Sequence, residues 1–531
     1  MNSYQFNNKH PNSMKNFLLS LIILSIGSTT MLQAQPLNVI DFGNSSYTLL
    51  GEKGCIDDLG NYVMGGRKNF NSNDWVHLAM FNANYQAQWS YYLNKSGYIA
   101  SKIKQTKDKN YVALYSSGIS AIIFKFSVNG TILWYKQFNN VAEWDDFYED
   151  NNNDLYVCGN MLEKNIVLKM NAAGTVVWSY QFISDQGANY YFGRSIQEVA
   201  DGNLVIAGAA SIVSNSLGAH IVVIKINKQG QLIWSKIHKG PGKSIMAVAM
   251  AESDIDGSLV AIGYTGNMMD ANSFDGFMLK MDSAGNHITN KTIAFNYWDY
   301  FYDICLMGNG QMMAIGMSKP VQVCGGNLFY TRFNQAGDTV LTRVYGTPAG
   351  NGANFNNIQK RNQDYYSFGL GSLWENIAGG YEYQMVRVDS MAMGPCKLYQ
   401  QQFTVQTLNV TTMGSVSRTN FTPTIVTEYQ ITKDTLYAVN ACSGQPLELK
   451  EIKQAVTIAV YPNPTHDNLY IQCNERIQQL KVYDLNGRVL MQQTCQMPAW
   501  ILPLGNLKNG IYVIRLEMEN GEEVSRQFVK A

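Results

Sequence analysis

Residues Asp201-Gly202-Asn203-Leu204-Val205-Ile206-Ala207-Gly208 hold the pattern that decides the fold: a tight turn, then an apolar strand that ends in glycine. The pattern returns in seven copies, two of them looser, within residues 59–65, 109–114, 153–159, 201–208, 256–263, 309–316 and 363–369. The runs are apolar on both faces, which a sheet with one solvent-exposed face would not need. Each copy is therefore predicted to be a strand that is covered from both sides.

A second signal follows each copy: another apolar strand such as residues 221–226, a turn such as residues 227–230, and a further strand that holds a tryptophan in four copies. Those tryptophans are Trp89, Trp134, Trp178 and Trp234. Their fixed register within each repeat predicts a packing role between repeats. Thr289 and Leu341 stand at the matching places in later copies, so that successive markers lie about 44 to 56 residues apart. A repeat of that length with four short strands is typical of a propeller blade.

The predicted fold class is all-β, with a seven-bladed β-propeller over residues 35–403 and a small C-terminal β-sandwich over residues 456–531. Residues 37–42 are predicted to complete the seventh blade as its outer strand, although residues 397–403 could fill the same place. Residues 404–455 are Thr-rich and are predicted to form extra strands or a stiff stalk. The repeats resemble those of secreted bacterial propellers in quinoprotein-like and kelch-like families. That resemblance implies a fold and no activity.

The C-terminal region opens with Tyr461-Pro462-Asn463-Pro464 and continues into Leu469-Tyr470-Ile471. Three turns follow, around Gly487, Gly510 and Gly521, each predicted to need a positive φ. Short strands between such turns predict a small antiparallel sandwich.

This region resembles the type A C-terminal sorting domain of the type IX secretion system, found in Bacteroidetes-type bacteria. The resemblance rests on Pro-Asn-Pro-x4-Leu-Tyr-Ile, on Val-Tyr-Asp-Leu-Asn-Gly-Arg-Val and on Leu-x-x-Gly-Ile-Tyr. The corresponding motif residues are Pro462, Asn463, Pro464, Gly487, Gly510, Tyr512 and Gly521. The resemblance implies that the secretion machinery reads this domain at the outer membrane and that its sortase removes it. The body would then be attached to surface lipopolysaccharide or released, in either case outside the cell.

The N-terminus is consistent with export. A basic start near Met14 and Lys15 precedes the apolar residues 17–24, and the small residue Ala34 follows. This order predicts a signal peptide within residues 1–34, with Met14 as the probable start and cleavage after Ala34. No later stretch is long and apolar enough to predict a membrane span. Without Lys9 and Lys15, the 40 basic residues fall to 38 against 40 acidic ones, which gives no electrostatic reason to bind nucleic acid or anionic membrane.

The eight cysteines of an exported chain permit disulfides without fixing their connectivity. Cys396 and Cys442 bracket the Thr-rich segment and form one possible pair, and Cys473 with Cys495 is a less favoured one. Cys158 and Cys305 replace apolar residues in blade strands and are predicted to be small buried hydrophobes.

No catalytic motif stands out, since the chain has no Gly-x-Ser-x-Gly elbow and no His-Glu-x-x-His helix. No cofactor and no metal site is predicted. Residues 150–154 and 252–257 carry alternating acidic side chains like those of calcium loops. Both segments lack the distal glutamate and fall on the recurring turn, so tight turns are the preferred interpretation.

One group of aromatic and charged residues remains as a candidate ligand site, at equivalent places in three blades. Its members are Trp144, Asp145, Tyr190, Tyr191, Arg194, Trp298, Asp299 and Tyr300. Aromatic planes beside polar groups suit sugars or peptides. The alternative is that these residues brace loops and pack blade against blade.

Two functions are compatible with this sequence. The favoured one is a non-catalytic surface module that binds a glycan, a peptide or another surface protein. The alternative is a secreted hydrolase or lyase whose acids, such as Asp145 and Asp299, sit at the mouth of the central channel.

Overall fold

The computed structural model describes residues 39–43, 48–70, 73–161, 164–184, 190–211, 218–266, 274–295, 297–319, 326–346, 354–371, 382–394, 398–399, 403–413, 416–428, 430–434, 436–440, 445–446, 458–484, 488–518 and 523–531. The chain divides into two compact units, residues 1–447 and 448–531. The predicted signal peptide lies outside the described residues, as do Cys396 and Cys442. In the described part, Cys55, Cys158 and Cys305 are free thiols; Cys158 is buried as predicted, whereas Cys305 is only partly buried.

Seven antiparallel sheets make up the first unit, and each is one blade. The chain begins with β1 (Val39–Gly43), and blade 1 follows with β2 (Thr48–Ile56), β3 (Tyr62–Phe70), β4 (Asn73–Phe81) and β5 (Ala87–Ser96). Blade 2 comprises β6 (Ile99–Gln105), β7 (Tyr111–Ser116), β8 (Ala121–Phe126) and β9 (Ile132–Phe138); blade 3 comprises β10 (Glu143–Glu149), β11 (Leu155–Met161), β12 (Lys164–Met170) and β13 (Val176–Ser184). Blade 4 comprises β14 (Tyr190–Glu198), β15 (Leu204–Ser211), β16 (Ala219–Ile226) and β17 (Leu232–Lys239); blade 5 comprises β18 (Ser244–Glu252), β19 (Leu259–Gly266), β20 (Asp275–Met281) and β21 (His287–Ala294). Blade 6 comprises β22 (Trp298–Gly308), β23 (Gln311–Lys319), β24 (Asn327–Phe333) and β25 (Thr339–Tyr345); blade 7 comprises β26 (Asn354–Arg361), β27 (Asp364–Gly371) and β28 (Glu382–Val388).

The blades close into a ring. Seven apolar core clusters each join two neighbouring blades, and one of them packs Phe42 and Ile56 against Tyr366 and Phe368, which links blade 7 to blade 1. Strand β1 pairs antiparallel with β28, with Val39 opposite Val386. The prediction that the N-terminal segment completes blade 7 is therefore confirmed. The fold is a seven-bladed β-propeller, in which both faces of every blade are covered.

The glycine that ends each repeated pattern is explained by a bulge on the neighbouring strand. The first strand of every blade shifts register by one residue against the second, for example between Ala247 and Ala249 and between Phe301 and Asp303. Gly263 pairs with Ala247 at this point, and a Cβ on Gly263 would lie 2.0 Å from the carbonyl oxygen of Met246. At Gly263, only a residue without a side chain fits beside the bulge.

The repeat tryptophans pack between blades, as predicted. Trp89 Nε1 donates to the carbonyl oxygen of Val128, at 2.8 Å, and Trp134 Nε1 donates to that of Ala172, at 3.1 Å. A Cβ on Gly174, which has a φ of 77°, would lie 2.7 Å from the ring of Trp134. Each indole thus covers the tight turn of the next blade, and this contact accounts for both the tryptophan and the turn glycine in the repeat.

The Thr-rich segment forms a belt around the ring. Its strands are β29 (Leu398–Tyr399), β30 (Thr404–Gln406), β31 (Thr411–Met413), β32 (Val416–Asn420), β33 (Ile425–Val426), β34 (Ile431–Lys433), β35 (Tyr437–Asn440) and β36 (Gln445–Pro446). In this order they pair with the outermost strands of blades 6, 5, 4, 3, 2 and 1, and then β35 pairs with β1 of blade 7. Of the two sequence interpretations, extra strands match these pairings, and a stalk does not.

The second unit contains β37 (Ile458–Tyr461), β38 (Asn468–Tyr483), β39 (Val489–Pro503), β40 (Gly510–Met518) and β41 (Glu523–Lys530). The long strands β38 and β39 break register between Gln472 and Ile477, which lets them serve both halves of a small β-sandwich around one apolar core. Asn463 ties the Pro-Asn-Pro motif to β41: its Oδ1 accepts the N–H of Val529 at 2.9 Å, and its Nδ2 donates to the carbonyl of Gln527 at 3.2 Å.

The expectation of a positive φ at Gly510 is wrong, because this glycine opens strand β40 and is not among the residues with positive φ. A Cβ there would be 3.6 Å from the hydroxyl of Tyr512, which itself donates to the carbonyl of Lys508 at 2.6 Å. Gly487 and Gly521 lie outside the described residues.

Replacing Gly263 with Ala is expected to destabilise the propeller by about 3 kcal/mol, because backbone must move to relieve the contact with Met246. The matched control is Gly218→Ala, where the nearest atom to a new Cβ is 3.7 Å away on His220. Denaturant unfolding followed by tryptophan fluorescence measures both. Equal midpoints for the two variants would contradict the role of the glycine.

Ending the chain at residue 397 removes the belt and is expected to cause self-association, because seven outer strands would then present unpaired N–H and C=O groups. A chain that ends at residue 447 keeps the belt and serves as the control. Light scattering after gel filtration measures the mass of each. The same mass and the same thermal midpoint for both chains would show that the belt does not protect the edges.

Candidate binding site at the central channel

The bulges direct side chains of the seven innermost strands toward the central channel. The bulged residue lies between the two residues that shift register, and these residues are Glu52, Ser101, Asp145, Arg194, Val248, Tyr302 and Asn356. Bulges commonly reorient side chains beside functional sites. The polar and aromatic members of this set come from different blades, so they meet only in the closed ring.

A network of lysines and aspartates crosses the middle of the channel. Lys104 Nζ contacts Asp146 Oδ1 at 2.8 Å, and Lys102 Nζ lies 3.6 Å from Asp146 Oδ1 and 3.8 Å from Asp303 Oδ2. Burial alone would raise the pKa of Asp146, but Lys102 and Lys104 hold it below its usual value. Burial and the nearby Lys102 lower the pKa of Lys53 to about 8. The network joins blades 2, 3 and 6 across the axis.

The first part of the candidate site is an ion-pair cluster between blades 3 and 4. Arg194 Nη1 contacts Asp145 Oδ1 at 2.7 Å and Glu143 Oε2 at 3.1 Å. Asn160 also donates to Glu143, at 2.9 Å. Burial raises the pKa of Asp145 to about 6, although Arg194 opposes the rise. About a third of the Arg194 and Glu143 side chains remains exposed, so the cluster is accessible from solvent.

The second part is an aromatic group on blades 5 and 6. Tyr264 and Tyr300 make an edge contact with ring centroids 4.7 Å apart, and Tyr300 stacks on Phe274 at 5.7 Å. Trp298 and Tyr302 flank Tyr300 at 6.2 and 6.3 Å. Burial raises the pKa of Tyr264, and the positive charge of Arg194 opposes this rise. Glu143, Asp145, Arg194, Tyr264 and Tyr300 are called the arginine–tyrosine site below.

The sequence-predicted residues divide into three groups. Asp145, Arg194 and Tyr300 belong to the arginine–tyrosine site, and Trp298 flanks it, with Lys319 Nζ 4.3 Å above its ring. Asp299 is fully buried and accepts the N–H of Phe295 at 2.7 Å, which is a bracing role. The side chains of Tyr190 and Tyr191, on strand β14, are outside the described part.

Trp144 requires a correction. It is fully buried, with an edge contact to Phe138 at 5.2 Å inside the core between blades 2 and 3. Because no part of its ring reaches solvent, Trp144 packs and presents no surface to a ligand. The predicted residues of blades 3 and 6 lie on the innermost strands themselves.

Sequence reasoning missed Glu143, Tyr264 and Phe274. Tyr264 directly follows Gly263, the last residue of the repeated pattern, so alignment of the repeats by that glycine would have placed it beside the bulge. Phe274 follows residues outside the described part and carries no repeat signal.

The calcium-like segments are tight turns. Asp150 Oδ1 accepts the N–H groups of Asn152, at 2.8 Å, and Asp154, at 3.0 Å, and Asp154 pairs with Lys169 at 2.8 Å. Asp256 Oδ1 accepts from both the N–H and the hydroxyl of Ser258. The carboxylates are thus used by backbone and lysine partners. Within the described ranges, no group of three or more His, Cys, Asp or Glu side chains is arranged to hold a metal ion.

Comparison with protein families identifies the second unit. Residues 459–531 match the family described as the secretion system C-terminal sorting domain. The chain therefore carries a type IX sorting domain at its C-terminus, and it is an exported protein of the cell surface or the extracellular medium. Comparison with curated proteins gives no match.

Several solved structures are similar at low identity. A protein of unknown function from Bacteroides caccae is 15% identical, with 57% of this chain and 92% of that chain covered and a TM-score of 0.33. PorZ, a surface component of the type IX secretion system of Porphyromonas gingivalis, is 11% identical, with coverage of 90% and 58% and a TM-score of 0.36. The extracellular domain of the hybrid two-component system BT4673 from B. thetaiotaomicron is also 11% identical, with coverage of 93% and 58% and a TM-score of 0.38. This chain thus spans about 58% of the length of the last two proteins, and similarity at this level says nothing about a ligand.

Among the residues that the structure describes, no helix is both long enough and apolar enough to cross a membrane.

Proposed function

We propose that this exported propeller is a non-catalytic binding module that holds an extracellular glycan at the arginine–tyrosine site. The observations that carry the proposal are the edge-on pair of Tyr264 and Tyr300 and the Arg194–Asp145 ion pair, whose arginine acts electrostatically on Tyr264. Sugars combine apolar C–H faces with hydroxyl groups, so their recognition needs aromatic surfaces together with fixed donors and acceptors. Both kinds of group are present here on blades 3 to 6.

The ion pairs give the site a fixed geometry. Arg194 is held by two carboxylates, and Glu143 is held in turn by Asn160. Groups that are already oriented lose little conformational freedom when a ligand binds. The exposed carboxylate of Glu143 would then bind sugar hydroxyls in a defined orientation.

A peptide or another surface protein would use the same aromatic group differently. An extended peptide usually adds a strand to an exposed sheet edge, but the outer edge of each blade is already paired with the belt. This arrangement favours a glycan over a peptide at the arginine–tyrosine site.

The alternative function is a secreted hydrolase or lyase, and one observation favours it. Burial raises the pKa of Asp145 to about 6, a value that suits a general acid near neutral pH. The carboxylate is nevertheless bound by Arg194, which stabilises its charged form. A turnover screen with glycans bound by the protein separates the two functions, because product formation that Asp145→Asn abolishes would establish catalysis.

Tyr300→Ala is expected to weaken glycan binding by about tenfold or more, since truncation of a central aromatic contact commonly costs more than about 1 kcal/mol. Tyr300→Phe keeps the ring and should retain most of the affinity. The matched control is Tyr470→Ala, because Tyr470 is an exposed tyrosine stacked on Tyr461 at 5.9 Å in the sorting domain. A glycan array on the protein from residue 35 onward identifies the ligand, and titration calorimetry measures the three variants. Glycan binding that survives Tyr300→Ala unchanged would refute the proposed site.

For the sorting domain, we propose that the secretion machinery and its sortase read the sandwich with the last strand in place. Asn463→Ala removes both side-chain hydrogen bonds to β41 and is expected to leave the protein in the periplasm. Asn468→Ala, outside these contacts, is the control for a change of similar size in the same domain. Cell fractionation with an antibody to the propeller measures the location. Surface or medium levels equal to those of the unchanged chain would contradict the proposal.

A further inference from the structure

The channel contains a cavity that is separate from the arginine–tyrosine site. Its volume is about 520 Å³, and its lining includes residues from all seven innermost strands together with the turns that follow the first strands of blades 1 and 2. The lining strand residues come from the C-terminal halves of those strands, after the bulges, whereas the arginine–tyrosine site uses the bulges, the residues before them and Tyr264 on the second strand of blade 5. A cavity of this volume is of the size that holds a small ligand.

One wall of the cavity is basic. Blade 2 contributes four lysines within eight residues, Lys102, Lys104, Lys107 and Lys109, and all four line the cavity. Lys102 and Lys104 are two residues apart on strand β6, so both face the channel. This run of lysines was not assigned a role by the sequence patterns.

The acidic groups that line the cavity with these lysines are Asp58, Asp146 and Asp303, and Glu149 Oε2 accepts the N–H of Lys107 from outside the lining. Lys109 pairs with Asp58, Lys104 pairs with Asp146, and Lys107 Nζ donates to the side chain of Asn151 at 2.6 Å. Among the groups that line the cavity, four lysines stand against three carboxylates, which leaves an excess of positive charge in a partly enclosed space. Such a space concentrates field lines and attracts anions.

Lys102 offers a specific position for an anion. Its Nζ is 3.6 Å from Asp146 Oδ1 and 3.8 Å from Asp303 Oδ2, and both distances are longer than a direct hydrogen bond. The ammonium has three N–H donors, so a ligand oxygen on the side away from the two aspartates can accept a hydrogen bond from it. On blade 4, Gln197 lines the same cavity, and its buried Nε2 has no hydrogen-bond partner.

We propose that this cavity binds the oxyanion group of a small acidic ligand, with Lys102 and Gln197 donating to the oxyanion and Lys107 and Lys109 attracting it at the rim. The carboxylate of an acidic sugar, a free organic acid and inorganic phosphate share this chemistry. The site is independent of the proposed glycan site, because the two have no residue in common.

The test is titration calorimetry of the full mature chain with three probes: digalacturonate, citrate and inorganic phosphate. Binding of at least one probe is expected, and the probe that binds most tightly identifies the source of the oxyanion. Lys102→Gln is expected to weaken that binding by about tenfold or more, since a hydrogen bond to a charged group is worth about 1.5–3 kcal/mol.

Because Lys102 also lies within the channel network, Lys107→Ala with Lys109→Ala provides a second variant at exposed positions. The double variant is expected to reduce affinity severalfold and to keep the thermal midpoint. The matched control is Lys239→Ala with Lys433→Ala, which removes two exposed lysines from outside the cavity. Failure of all three probes to bind at millimolar concentration would overturn the proposal, and so would an equal loss of affinity in the control, which would indicate a bulk charge effect.

Digalacturonate binding that is lost in Tyr300→Ala and kept in both lysine variants would place the acidic sugar at the arginine–tyrosine site and overturn the cavity proposal while supporting the proposed function. Digalacturonate binding that is kept in Tyr300→Ala and lost in the lysine variants would support the cavity proposal. Binding of neutral sugars would then test the glycan site.

Discussion

The close approach of two backbones at the start of every blade is the constraint on which the rest of the structure depends. The second strand of a blade comes so near to the bulged first strand that a Cβ on Gly263 or Gly316 would lie within about 2.1 Å of a carbonyl oxygen. The bulge in turn directs residues such as Asp145, Arg194 and Tyr302 to the channel. The glycine therefore does more than mark a repeat, because the geometry that requires it also supplies the side chains of the candidate site. Blade 2 reaches the same bulge with Tyr115 in place of glycine, and there the phenol donates to His77 and accepts from the N–H of Gly66.

The belt pairs with sheet edges that would otherwise be exposed, as the edges of any open sheet are. Each blade would otherwise end in an unpaired outer strand, and such edges recruit other chains. The belt strands are only two to five residues long, and many of their side chains are exposed, so apolar burial contributes little and backbone hydrogen bonds contribute most of the attachment. Specific side-chain bonds fix the register, such as the ion pair of Lys68 with Asp434 at 2.8 Å and the contact of Arg418 with the ring of Tyr180 at 4.1 Å. These partners are hundreds of residues apart in sequence, so the belt is attached to strands that lie far from it along the chain.

The sequence predicted much of the fold and little of the site, and the reason is the range of the interactions involved. Blade number, the closing strand and the packing role of Trp89 and Trp134 follow from short patterns, because each pattern reports a contact that repeats in every blade. One further repeated contact was not recognised in the sequence. Lys125, Lys169 and Lys225, on third strands, pair at 2.6 to 2.8 Å with acidic residues of the turn between the first and second strands of their own blade. Site residues break the repeat instead of following it. Trp144 looked like a ligand contact because it stands beside Asp145, yet adjacent residues at a bulge face different surroundings, and here one faces the core and the other Arg194.

Charge inside the channel links closure of the ring to function. Asp146 and Lys102 are each largely withdrawn from water, and an isolated buried charge costs several kcal/mol. Asp146 is stabilised by lysines from blade 2 and by the N–H of Ile196 from blade 4, while Lys102 also faces Asp303 from blade 6. No single blade can satisfy these groups, so the network is favourable only when blades 2, 3, 4 and 6 surround one axis. An open or partly folded ring would leave the same charges unpaired and exposed to water. The polar channel therefore exists only in the completed propeller, and a ligand that binds it selects the closed state.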